Sequence, residues 1–206
     1  MNNVLYGYAS DPQFERKEAV RLVRLALSVD DDDPDTLAWA AMISAFMVGD
    51  HETEIEMADR AVALNPNSYH TWAGRGHVYR IAGLPEEAVR SFERAIRMSP
   101  VSPELYITLT GMGMAFVELG RFDEAIVAGK KALRQGLALG GAYFGGAYYC
   151  LASAFANLGR DAEAREAAAR LLEVDPAFTI SARMGRRRQS HLKLLIEGLR
   201  KAGLPE

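Results

Sequence analysis

The sequence predicts an all-α fold, a right-handed α-solenoid of antiparallel helix pairs closed by a C-terminal capping helix. Three observations carry this. Gly49, Gly83, Gly120 and Gly159 recur at spacings of 34, 37 and 39 residues. Each is followed by a second helical pattern with small residues at matching places. Nearly half of the 206 residues are hydrophobic, yet the apolar positions repeat in short units, as in a stack whose neighbours bury surface against one another instead of around a single core. A period near 34 built as helix, glycine turn and second helix points to binding, not to a catalytic pocket.

The elements follow in order. Residues 1–34 read as a partial N-terminal repeat: Asp11 and Pro12 mark a helix start, and Ala19, Val23, Ala26 and Leu27 give an apolar stripe that ends at the acidic run Asp30 to Asp33. This is a second helix without its partner, because residues 2–10 are too short and poorly patterned for a full first helix, which suggests a chain cut from a longer protein. The four aspartates lack the alternating ligands and glycine of a calcium loop and read as a solvated loop, with Asp33 capping the helix that begins near Pro34.

Four full copies are expected at 35–68, 69–105, 106–144 and 145–176. In the second, Trp72, Gly76, Tyr79, Gly83, Ala88, Phe92, Ala95 and Pro100 are all assigned to the core. Trp72 fills the space between the two helices, Gly76 allows a close approach, and Gly83 takes the left-handed conformation that ends the first helix. The first copy keeps this spacing through Ala38, Met42, Ala45, Gly49, Ala58, Ala61 and Pro66, with Glu54 where a small residue is expected. In the third, Leu109, Gly113, Phe116, Gly120, Ala125 and Ala132 match, Gly129 replaces an aromatic and Leu137 a proline, so its second helix is expected to run on. The fourth has Tyr148, Leu151, Ala152, Phe155, Gly159, Ala164, Ala168, Leu171 and Pro176.

Extra residues fall at Pro100 to Pro103 and at Gly136 to Gly146. The glycines of the second insertion have neither the preceding strand nor the spacing of a phosphate loop, and read as a junction between repeats. Residues 177–206 form the cap. After Pro176 the repeat pattern stops, and Gly185 and the basic run Arg186 to Arg188 lead into an amphipathic helix from about Gln189 to Lys201, buried through Leu192, Leu195, Ile196 and Leu199. Such a helix covers the last repeat.

No apolar run reaches membrane-spanning length, and the start lacks the basic and apolar regions of a signal peptide, so a soluble cytoplasmic protein without membrane contact is expected. The lone Cys150 excludes an internal disulfide and reads as a buried small side chain. Net charge is −3, but residues 1–68 hold 5 Lys/Arg against 13 Asp/Glu and residues 177–206 hold 7 against 2. Such an arrangement either favours head-to-tail association into a homo-oligomer, or contact with another domain, at low salt, or amounts to two differently solvated ends. Three consecutive arginines in an acidic protein do not support nucleic-acid binding.

The repeats resemble the tetratricopeptide superfamily, whose members are mostly scaffolds for protein recognition. The ending, Glu197 to Glu206 read as Glu-Gly-Leu-Arg-Lys-Ala-Gly-Leu-Pro-Glu, looks like the C-terminal region of bacterial multidomain signalling proteins that carry a class III adenylate/guanylate cyclase domain, or sometimes a winged-helix DNA-binding domain, upstream. The resemblance implies a regulatory or interaction module. Nothing here resembles the cyclase's metal-binding aspartates or purine-recognition residues, so the chain is read as non-enzymatic, without cofactor or metal. The expected partner is a protein, a peptide or an upstream domain of the same polypeptide. The alternative is a stand-alone adaptor.

In this superfamily the first helices line a concave groove. By register the groove positions are Thr36, Trp39, Ile43, Phe46 and Met47, then His70, Ala73, His77, Arg80 and Ile81, then Ile107, Thr110, Met114, Val117 and Glu118, then Gly146, Tyr149, Ser153, Ala156 and Asn157. The candidate binding residues among them are Trp39, Ile43, Phe46, Met47, His70, His77, Arg80, Ile81, Met114 and Tyr149. The first half would expose an aromatic and methionine surface suited to an amphipathic helix or an extended peptide, unless the chain's own N-terminal segment or a missing repeat covers it. The carboxylate clamp of one subclass needs basic or amide residues where Trp39, Ile43, Ala73 and His77 stand, and is not expected; Arg80 could accept one acidic group. Among His51, His70, His77 and His191 only His70 and His77 share a helix face, at a separation of seven where metal pairs prefer three or four. Ser153 and Cys150 have no visible base nearby.

Overall fold

The computed structural model describes residues 11–138, 145–184 and 190–206, and every regular element among them is helical. The chain divides into two compact units, one ending at Ser102 and the other beginning at Pro103, inside the extra residues Pro100 to Pro103.

The first unit contains α1 (Pro12–Val29), α2 (Pro34–Met47), α3 (His51–Leu64), α4 (Tyr69–Ile81) and α5 (Pro85–Met98). Asp11 starts α1 by accepting the N–H groups of Gln13 and Phe14, both at 3.0 Å. Asp33 starts α2 by accepting that of Thr36 at 2.7 Å. Each aspartate answers donors that have no partner in a first helical turn. Helix α1 packs on α2, α2 pairs with α3, α4 pairs with α5, and α4 also rests on α2 and α3. Ala41, Ala45, Ala58, Val78 and Ile81 form one core cluster, with Phe46, Ile55 and Met57 packed against it. A side-chain network ties the last three helices together. Arg75 donates to Asp59 and to the Ser91 hydroxyl, each at 2.7 Å, while the Tyr79 hydroxyl donates to Asp59 at 2.8 Å.

The second unit contains α6 (Leu105–Glu118), α7 (Phe122–Ala138), α8 (Gly145–Asn157), α9 (Asp161–Val174), α10 (Ile180–Met184), a 3-10 turn at Ser190–Leu192 and α11 (Lys193–Lys201). Here α6 pairs with α7, α8 pairs with α9, and α8 rests on α6 and α7. Helix α7 is 17 residues long where α3, α5 and α9 have 14, since Leu137 replaces the proline that would have stopped it. Cys150 is fully buried. Leu151 takes the room left by Gly129, where a Cβ would come within 2.9 Å of it. Gly136 lies inside α7, and Gly145 and Gly146 open α8, so the second insertion is narrower than its glycines suggest. Gly140 and Gly141, like residues 2–10, Gly185, Arg186 to Arg188 and Gln189, lie outside the described residues.

The four recurrent glycines share one backbone state, with φ of 84°, 82°, 73° and 72° at Gly49, Gly83, Gly120 and Gly159. In three of the turns the next residue closes the helix end: Leu84, Arg121 and Arg160 donate their main-chain N–H to the carbonyls of Tyr79, Phe116 and Phe155 at 2.9, 2.8 and 2.9 Å. The first turn is built differently. Asp50 and Gly49 donate to Oε1 of Glu54, both at 3.1 Å, and His51 Nδ1 lies 3.3 Å from Oε2. That is why a carboxylate stands where a small residue was expected; it is 1% exposed and acts as the acceptor for the turn. The later turns carry a different aid, with Arg121 over the Phe116 ring at 4.6 Å and Arg160 over Phe155 at 4.7 Å. These arginines pair with Glu124 and Glu163, whose carboxyls they hold below the ordinary range by hydrogen bonding.

Three expectations need correction. Of the eight residues assigned to the core of the second copy, Gly76, Tyr79, Ala88, Phe92 and Ala95 are buried, Trp72 and Gly83 are half-buried and Pro100 is exposed. Trp72 keeps an open edge because its indole N–H donates to the Pro66 carbonyl at 2.8 Å, with the Arg75 and Arg94 guanidinium groups near its ring. On α1, Ala19 and Val23 are buried but Ala26 is exposed, and Phe14, Leu22, Leu25 and Val29 form a second apolar face open to solvent. The C-terminal helix begins as a 3-10 turn, and of the four apolar residues expected on its buried face Leu192, Leu195 and Leu199 are buried while Ile196 is half-buried.

Candidate functional site: the first-helix surfaces

The candidate residues stand on the first helix of each pair, and eight of the ten belong to the first unit. There α2 and α4 lie side by side, so register positions of one helix meet those of the other. Trp39 faces His70 with ring centroids 6.0 Å apart, and Tyr69 meets the same imidazole edge-on at 5.4 Å. Further along, Phe46 lies 6.1 Å from His77, and Phe92 of α5 contacts His77 edge-on at 4.9 Å.

These residues are not an open aromatic and methionine surface. Met47, His77, Arg80 and Ile81 are buried, and Trp39, Ile43, Phe46 and His70 are half-buried. Ile81 belongs to the cluster between α2, α3 and α4, and Phe46 packs against that cluster. Close helix pairing carries the far end of the register into the core, leaving Trp39, Ile43 and His70 as the more accessible part. Burial, and secondly the Arg80 guanidinium, push the His77 imidazole from 6.5 down to about 3. It is a neutral ring among aromatics, and neither nitrogen has a hydrogen-bond partner among the described residues. A cationic His77 would oppose that environment.

In the second unit Met114 of α6 and Tyr149 of α8 meet: Met114 is buried, and the Tyr149 hydroxyl donates to its sulfur at 2.9 Å. The other face of Tyr149 stacks on Phe178, with centroids 6.2 Å apart. The C-terminal segment continues along the same helices, as α11 packs on α8 and α6. Ser153 Oγ donates to the Leu195 carbonyl at 3.0 Å, and Asn157 Nδ2 donates to the Leu194 carbonyl at 2.9 Å. Lys201 Nζ donates to Asn157 Oδ1 at 3.2 Å. Gly198 sits at the crossing, where a Cβ would come within 2.6 Å of both Asn157 Nδ2 and the Ser153 carbonyl. Because the side chain at i+4 normally shields a helical carbonyl, Gly198 also leaves that of Leu194 open to Asn157.

The helix therefore lies on the register surface of the first helices α6 and α8 through Ser153 and Asn157, whereas α4 and α8 each rest on both helices of the preceding pair. Gly203, with φ 85°, ends α11 as the repeat glycines end theirs, with Leu204 N–H donating to the Leu199 carbonyl at 3.2 Å. The Pro205 carbonyl then accepts the N–H of Ile180 at 2.8 Å, joining the tail to α10. Sequence reading missed this occupant. The available signal was a glycine inside an amphipathic helix, which costs helix stability and so needs a packing reason.

Among the described residues no group of three His, Cys, Asp or Glu side chains converges, and no described helix is long and apolar enough to cross a membrane.

Comparison with known proteins accords with this architecture. Tetratricopeptide repeat models match residues 69–102 and 110–177. No curated protein matches the chain in sequence. Similar solved structures include PilW, a widely conserved type IV pilus biogenesis factor, at a TM-score of 0.66 and 18% identity over 98% of this chain and 90% of that one. TTC0263, a thermophilic TPR protein of Thermus thermophilus, gives 0.63 and 23% over 82% and 87%. YrrB, a TPR protein with an unusual peptide-binding site, gives 0.54 and 20% over 87% and 90%. By its glycine turns, its helix pairing and these matches, residues 69–102 and 110–177 of the chain are tetratricopeptide repeats.

Proposed function

We propose that the chain is a non-catalytic interaction module that binds a peptide or helical segment through the accessible part of the α2 and α4 surface. The observation that carries this reading is the Trp39–His70 pair, two half-buried rings on adjacent first helices. Large flat side chains with a polar edge suit recognition, because they offer contact area with little conformational freedom to lose. The peptide-binding site named for YrrB supports the same use of the architecture. The test is selection of binders from a displayed helical-peptide library against the full chain, followed by Trp39→Ala and His70→Ala. Loss of binding with unchanged helicity supports the reading; binders that retain affinity for the double variant reject this surface.

A stand-alone adaptor suits the comparisons. Regulation of an attached cyclase-type domain rests on the tail resemblance, and Gly198, Leu199, Gly203 and Leu204 of that tail have packing roles within the second unit. The size of the native protein, compared with 22.6 kDa, separates the two: a much larger species favours an attached domain, and a species of this size favours the adaptor.

A further inference from the structure

We propose that the α6 and α8 surface is a second helix-binding site and that residues 190–206 are its built-in ligand, displaced by a partner helix of the same chemistry. The proposal rests on the interaction reading above for its class, but on different residues. The occupant itself defines the fit. Its α-helical part has only nine residues, too few to persist alone in water, so it is ordered by what it lies on. Leu192, Leu195 and Leu199 supply its apolar face, as in helix-in-groove recognition.

Its polar contacts are of an unusual kind. Ser153 and Asn157, one turn apart on α8, donate to the carbonyls of Leu195 and Leu194, which are main-chain groups available in any helix whose crossing residue is glycine. The site therefore reads an amphipathic helix with glycine between leucines, and the Lys201 contact to Asn157 adds a polar side chain of the ligand. A partner with that pattern competes directly for Ser153 and Asn157. In the resting chain the site is closed by its own tail.

The test keeps the whole chain and places a specific protease site between Gly185 and Gln189. After cleavage, a fluorescent peptide of residues 190–206 is added to the nicked and to the intact protein. The expected result is uptake by the nicked protein, competition by unlabelled peptide, at least about tenfold weaker uptake by intact protein, and a similar loss for a peptide carrying Gly198→Leu. Retention of the original fragment without exchange, unfolding on its loss, or equal binding of the Gly198→Leu peptide would overturn the proposal. A nicked protein that only trades the segment between two copies and ignores the free peptide would also count against it. Failure here leaves the Trp39 and His70 test untouched, so the two readings fail separately.

Discussion

Asn157 holds Leu194 by its main chain: the side-chain amide donates to the Leu194 carbonyl at 2.9 Å and also to the Ser153 carbonyl at 3.0 Å. Its oxygen accepts from Lys201, so the side chain is satisfied on both ends. Asn157→Ala leaves the Leu194 carbonyl without this donor. The expected loss is about 1–2 kcal/mol in urea denaturation, with faster hydrogen exchange confined to residues 193–201. Unchanged exchange there would mean that the contact does not hold the helix.

Gly76 and Gly159 are both glycines of the repeat pattern, yet alanine should harm them for different reasons. At Gly159 a Cβ meets nothing within 4 Å, but φ is +72°, so Gly159→Ala should cost about 1–2 kcal/mol of backbone strain. At Gly76 a Cβ would lie 2.5 Å from the Phe92 ring, so Gly76→Ala should cost about 1–3 kcal/mol through overpacking. A Phe92→Leu background should recover part of the loss at Gly76 and none at Gly159, measured as a double-mutant cycle.

Glu54 receives two main-chain N–H groups while 1% exposed. Glu54→Ala should therefore cost more than loss of its small apolar area, about 1–3 kcal/mol. Glu54→Gln keeps an acceptor oxygen and should lie between that variant and the native chain. Equal melting temperatures for both variants would show that Glu54 is not the acceptor on which the turn depends.

His77 makes the first unit sensitive to acid. Folded, the ring stays neutral to about pH 3, while its ordinary value is 6.5; between these values the unfolded chain binds the extra proton. Stability from the neutral ring is full above pH 6.5 and is lost as pH falls towards 3, at up to about 1.4 kcal/mol per pH unit. His77→Phe should flatten the decline of unfolding free energy below pH 6.5 relative to the native chain. Parallel curves would show that the ring is protonated when folded.

From the sequence alone, periodicity determined the helix pairs, because each turn needs a residue at positive φ and each pair needs small residues at its contact, and Gly83, Ala88 and Ala95 announce both. The register likewise placed Tyr149, Ser153 and Asn157 on one surface. What lies on that surface is set by tertiary structure. A short amphipathic helix can continue a stack or fold back onto first helices with the same leucines, and only the Gly198 crossing, with Ser153 and Asn157 donating to main-chain carbonyls, selects the second. The burial of Ile81 and His77 was hidden for a related reason: helical register gives direction around an axis, whereas depth depends on how closely the next helix packs.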